Sequence, residues 1–107
     1  MAPFIIPFSQ ILNKDVAQVG GKNASLGEML HHLSPLGIRI PDGFATTANA
    51  FRYFLRQNNL VSKLEALLES LDKTSLENLG EIGKSCRELV LSASIPNDLE
   101  AAILENY

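Results

Sequence analysis

Apolar side chains at Leu26, Met29, Leu30 and Leu33 recur at i, i+3, i+4 and i+7, which sets them on one face of a helix beginning near Asn23 or Ala24. Ser34-Pro35-Leu36-Gly37 stops that helix. Upstream, Phe4-Ile5-Ile6-Pro7-Phe8 is a short apolar run punctuated by proline and reads as an edge strand, while Gln10 to Val19 reads as a polar connection. From Gly37 the chain alternates around a Pro41-Asp42-Gly43 turn, so an extended segment is expected to run through Phe44.

Helical spacing dominates the remainder. Thr47 is placed to cap a helix carrying Ala50, Phe51, Phe54 and Leu55, with Asn58-Asn59 as its stop. Ser62 with Glu65, and Thr74 with Glu77, fit the capping-box spacing at two further starts. The first of these helices aligns Leu60, Leu64, Leu67, Leu68 and Leu71, and the second Leu76, Leu79, Ile82, Cys86, Leu89 and Val90. Pro96 opens a last helix with Leu99, Ala102 and Ile103 in register. The expected fold class is therefore helix-rich α/β (α+β), with short strands near 4–8 and 43–46 and about five helices. Residues 1–60 hold the glycine turns and strands, and 61–107 form a helical segment.

Composition narrows the partners more than the fold. A chain of 107 residues has room for one small domain. Hydrophobic residues make up 46% and charged residues 20%, as in a folded globular chain and unlike a disordered tail. With 9 basic against 12 acidic residues there is no basic surplus for a nucleic-acid backbone. The apolar N-terminal run is too short and too rich in proline to cross a membrane or serve as a signal segment. Cys86 is the single cysteine, so no internal disulfide or cysteine-based zinc site can form, which suits the cytoplasm.

Candidate chemistry concentrates at Gly20-Gly21-Lys22. Two glycines permit positive φ and close ligand approach, and a helix starting just after them aims free N–H groups, its dipole and a lysine at one spot, as a phosphate requires. Read locally, the same residues also fit a tight turn with a solvated lysine. The pattern matches neither the Walker loop nor the Gly-x-Gly-x-x-Gly dinucleotide turn. Ser25 is expected to cap the helix, with phosphate contact as its other role. His31 and His32 point to different helix faces with no cysteine or nearby carboxylate to complete a site, so they read as surface residues. Arg52, Arg56 and Arg87 read as solvated helix charges, Cys86 as a small core-facing hydrophobe, and Glu81, Glu88 and Glu100 as showing no metal or acid–base pairing. No catalytic or metal-ligating residue is expected.

The run VGGKNASLGEM over Val19–Met29, followed by IPDGFATTANAF over Ile40–Phe51, resembles the opening of the phosphoenolpyruvate synthase (pyruvate, water dikinase) family, within the wider pyruvate phosphate dikinase family. The resemblance is specific over residues 10 to 60 and is one of pattern alone beyond them. It implies the first portion of an ATP-grasp type nucleotide-binding domain, in which Lys22 contacts ATP phosphates and Gly20 and Gly21 shape the loop. By the same resemblance, Pro41, Gly43, Phe44 and Thr47 hold structural positions that seat a strand beside the site. The whole enzyme that this implies converts pyruvate, ATP and water to phosphoenolpyruvate, AMP and phosphate with Mg²⁺, relaying the phosphoryl group through a histidine on a swivelling domain. An arginine-bearing strand, the Mg²⁺ carboxylates, the phosphohistidine motif and the pyruvate-binding barrel then belong to the rest of the same polypeptide. These 107 residues alone are expected to be inactive and to hold no nucleotide tightly. A sister phosphotransferase with the same nucleotide domain, such as a rifampicin phosphotransferase, and a stand-alone helical binding module remain the other readings.

Overall fold

The computed structural model describes residues 3–107, which divide into two compact units, one built from residues up to Tyr53 together with Asn97–Tyr107, the other from Phe54–Pro96. The first unit contains the only sheet among the described residues, made of β1 (Ile5–Pro7) and β2 (Phe44–Thr46). They pair antiparallel, with Ile5 opposite Thr46, Ile6 opposite Ala45 and Pro7 opposite Phe44. The pairing stays short because Pro7 has no amide hydrogen to extend the ladder. Phe8 N–H then donates to the Gly43 carbonyl (2.9 Å) as the chain leaves β1.

Residues 10–19, expected to be a polar connection, contain the centre of the core. Ile11 is 0% exposed and clusters with Val19, Ala24 and Ala45, with Ile6 and Phe8 packed against them. The sequence reading missed it because one isoleucine between two turns carries no periodicity. A 3-10 turn over Asn13–Asp15, closed by Leu12 N–H donating to the Asp15 carboxylate (3.0 Å), leads into the one-turn helix α1 (Val16–Val19). Helix α2 (Gly21–Leu33) follows, and a 3-10 turn over Ser34–Leu36 ends on Gly37. The segment from 38 to 43, expected to be extended strand, has no regular structure, and pairing begins only at Phe44, where β1 supplies a partner.

Thr47 caps α3 (Ala48–Gln57) as expected. Its hydroxyl oxygen accepts from Ala50 N–H (3.1 Å) while the hydroxyl donates to the Pro3 carbonyl (2.7 Å), so a single buried threonine starts the helix and anchors the N-terminal segment. Helix α6 (Asn97–Asn106), preceded by Pro96, packs against β1 through a face containing the buried Leu99. Tyr53 donates its phenol to Asp98 (2.6 Å) and stacks at a tilt on Phe4, with ring centroids 4.8 Å apart.

In the second unit, Asn58 ends α3 by donating to the carbonyls of Phe54 and Ser94, and Asn59 takes a left-handed φ of 55° that its side chain tolerates. Leu60 is buried at the start of α4 (Val61–Glu69), which packs with α5 (Leu79–Ser92). Neither expected capping box forms. Ser62 lies inside α4, one residue past its start, and Thr74 and Glu77 lie in a turn that precedes α5. Asp72 organises that turn instead, accepting from Thr74 N–H (3.0 Å), Ser75 N–H (3.2 Å) and the Ser75 hydroxyl (2.8 Å). These bonds hold its carboxyl below the ordinary aspartate range, the Ser75 hydroxyl contributing most. Leu71 and Leu76 consequently fall outside the helices, and Leu76 stands in a left-handed conformation at φ 57°. With one-turn α1 set aside, five longer helices and one small sheet make up the regular structure of the described residues.

Candidate functional site around the glycine-lysine turn

Only Gly20 separates α1 from α2. Its φ of 86° and ψ of 164° form a conformation that a side chain would oppose, and they let one short helix end and another begin within a single residue. Gly21 has no such demand: it is helical, exposed, and a Cβ there would meet nothing within 4 Å. Helix α2 therefore starts earlier than the apolar spacing predicts, and Lys22 is its second residue, exposed in the first turn. Ser25 is the fifth residue and also exposed, so it cannot cap the helix as expected; Gly20 occupies the cap and offers no side chain.

The Gly20 carbonyl accepts from Ala24 N–H (3.0 Å) as the first intrahelical acceptor. The amides of Gly21, Lys22 and Asn23 come before any helical partner, so three N–H groups, the positive end of the helix dipole and the Lys22 ammonium share one end of a 13-residue helix. Such an end favours an anion, and it presents no carboxylate from its own first turn. The Asn23 side chain turns the other way and donates to the Val19 carbonyl (2.9 Å), joining α2 to α1 across Gly20.

The opposite face of α2 fixes the helix in the unit. Ala24 is 2% exposed and Gly27 is buried against Ile11, where a Cβ on Gly27 would overlap the carbonyl oxygen and stand 2.8 Å from the carbonyl carbon. Glu28 accepts from Asn13 N–H (2.8 Å) and meets His32 Nε2 at 2.9 Å. The Asn13 bond is the main reason that the Glu28 carboxyl lies below the ordinary glutamate range, with His32 and the charge of His31 adding to it. His32 thus has the carboxylate neighbour that the sequence reading did not give it, at the i, i+4 spacing that brings two side chains together on a helix. Asn23, Gly27 and Glu28 were the residues missed. A small residue at 27, three after Ala24 on the same face, was the available signal for close helix packing.

Elsewhere, Cys86 is half-buried and not in a sealed core: with Leu64, Leu68, Arg87, Val90 and Leu91 it lines an open apolar groove of about 480 Å³. Arg52, Arg56 and Arg87 are exposed. Among the described residues no three His, Cys, Asp or Glu side chains converge as a cation site. No helix among them is long and apolar enough to cross a membrane.

Residues 16–107, which include the whole of α1, the glycine-lysine turn and every later element, match the family described as "Pyruvate phosphate dikinase, AMP/ATP-binding domain". The chain belongs to that family. It is 45% identical to phosphoenolpyruvate synthase of Aquifex aeolicus over 96% of its own length and 12% of the relative's. To the phosphoenolpyruvate synthase of Deinococcus radiodurans it is 47% identical over 96% of itself and 13% of the relative. The corresponding figures for Escherichia coli are 40%, 99% and 13%. The chain therefore spans about an eighth of the length of the curated relatives it matches. Membership places the anion-favouring end of α2 within an AMP/ATP-binding domain.

Proposed function

We propose that this chain is the N-terminal part of the ATP-binding domain of a phosphoenolpyruvate synthase, and that Lys22, with the amides of the turn formed by Gly20 and Gly21, contacts the ATP phosphates. The observation that carries the reading is the exposed cationic start of α2, where Lys22 and the three first-turn amides that precede the first intrahelical bond lie inside the family-matched span. Phosphate oxygens suit this set because charge-assisted bonds from a lysine and backbone amides stabilise them together. Ser25, one turn along, can add a hydroxyl to the same anion.

In this reading the whole polypeptide phosphorylates pyruvate with ATP and water in the cytoplasm, giving phosphoenolpyruvate, AMP and phosphate. Mg²⁺, when bound with ATP, offsets phosphate charge. The described residues do not converge as a set of ligands for it. The carboxylates that hold it, the pyruvate site and the phosphohistidine domain belong to the rest of the polypeptide, and the present residues supply one wall of the nucleotide site.

The test is Lys22→Ala in the full-length protein. Loss of a charged hydrogen-bond donor, about 1.5 to 3 kcal/mol, raises the KM for ATP or the nucleotide Kd by roughly ten- to hundredfold. Because Lys22 is exposed, the thermal midpoint stays near wild type. An unchanged nucleotide affinity in the folded variant removes Lys22 from the site.

A further inference from the structure

We infer that Asn23 is a positioning residue for the phosphate-facing turn, an inference that rests on the reading of that turn given above. In an unbroken helix the Val19 carbonyl would accept from the backbone N–H of Asn23, four residues on. Gly20 breaks the helix at that point, and the Asn23 side-chain amide takes over as the donor to Val19 (2.9 Å). The substitution has two effects. The last carbonyl of α1 is satisfied without using a backbone donor, which leaves the Asn23 N–H beside those of Gly21 and Lys22. The bond also ties α1 to α2 across a glycine around which a Cβ would find nothing within 4 Å, so no side-chain packing at Gly20 holds the turn.

Removing the donor reverses both effects. The orphaned Val19 carbonyl regains a partner most readily by recruiting the Asn23 backbone N–H, and that rearrangement rotates Gly20 and turns the first-turn amides and Lys22 away from a common point. Alanine at position 23 favours helix and does not disturb the buried face, so the fold survives while the phosphate seat is displaced.

The experiment compares Asn23→Ala, Asn23→Gln and Lys22→Ala in the full-length protein, measuring the KM for ATP, kcat and the thermal midpoint of each. Asn23→Ala raises the KM for ATP about five- to tenfold, as expected for one hydrogen bond of ordinary strength, with the midpoint near wild type. Asn23→Gln restores most of the affinity, because it keeps a side-chain amide donor on a flexible stem that can reach the Val19 carbonyl. If Asn23→Ala folds poorly, Asn23→Leu, of similar size and shape and without a donor, replaces it. An unchanged KM in Asn23→Ala alongside a raised KM in Lys22→Ala overturns the inference and spares the reading of Lys22. A raised KM that glutamine does not rescue, whatever the midpoint, means that the amide donor is not what positions the turn and also overturns it. An unchanged KM in Lys22→Ala defeats the phosphate reading itself.

Discussion

Gly27 of α2 rests on the main chain of Ile11 so closely that a Cβ would stand 2.8 Å from the Ile11 carbonyl carbon. Ile11 is the one large side chain that is fully buried among the described residues, so this contact joins the helix of the glycine-lysine motif to the centre of the first unit. Much of the motif therefore serves packing: Val19 and Ala24 enter the core, Gly27 admits the Ile11 backbone, and Glu28 holds Asn13. Gly20, Lys22 and Ser25 are left on the exposed side, where a ligand can reach them.

Gly27→Ala tests the contact. Alanine favours helix by about 1 kcal/mol over glycine, but here its methyl meets backbone, which cannot swing aside as a flexible side chain can. Net destabilisation of about 2 kcal/mol is expected, read as a fall of roughly 10 °C in the thermal midpoint. A midpoint at or above wild type would show that α2 does not sit against Ile11 in this way.

Thr47→Ala removes the Ala50 cap and the bond to Pro3 together. The expected loss is about 2 kcal/mol, near the upper end for a helix cap because the site is buried. Thr47→Ser, which keeps the hydroxyl, recovers more than half of that loss in chemical denaturation. Equal losses for the two variants would assign the effect to the methyl group.

Glu28 predicts a dependence on pH. Its folded pKa is depressed, chiefly by the Asn13 amide, so its contribution is fully present above the unfolded glutamate value of about 4.3 and is lost as pH falls through the folded value. Glu28→Gln should therefore be less stable than wild type at pH 7, with the difference shrinking toward pH 3. Urea midpoints at the two pH values measure it, and a gap that stays constant refutes the ionic role.

Long-period features were legible in the sequence. The positions of α2, α3 and α6, the apolar face of α6, the Thr47 cap, the Asn58-Asn59 stop and the two short strands follow from spacing or from a residue type with one strong local preference. The apolar face read for α2, by contrast, is not the buried one: Met29 is exposed, and the buried Ala24 and Gly27 lie on the opposite side of the helix. The failures have a common cause. Ser62 with Glu65, and Thr74 with Glu77, satisfy a local capping pattern, but Leu60 is buried at the start of α4 and Asp72 captures the following turn, and these contacts outweigh the weak preference of a serine or threonine.

The sequence by itself determined the helix-rich class, the place of the glycine-lysine turn and the family that the turn belongs to, because each is written in contiguous residues. Tertiary structure decided what the residues of that turn do. Gly20 alone needs glycine's backbone freedom, Lys22 stands in the first turn instead of before the helix, and Asn23 faces back to Val19. Each of these depends on where α2 begins, and that is set by the break at Gly20 and by Ala24 and Gly27 meeting a core centred on Ile11, a residue that no periodic pattern marks.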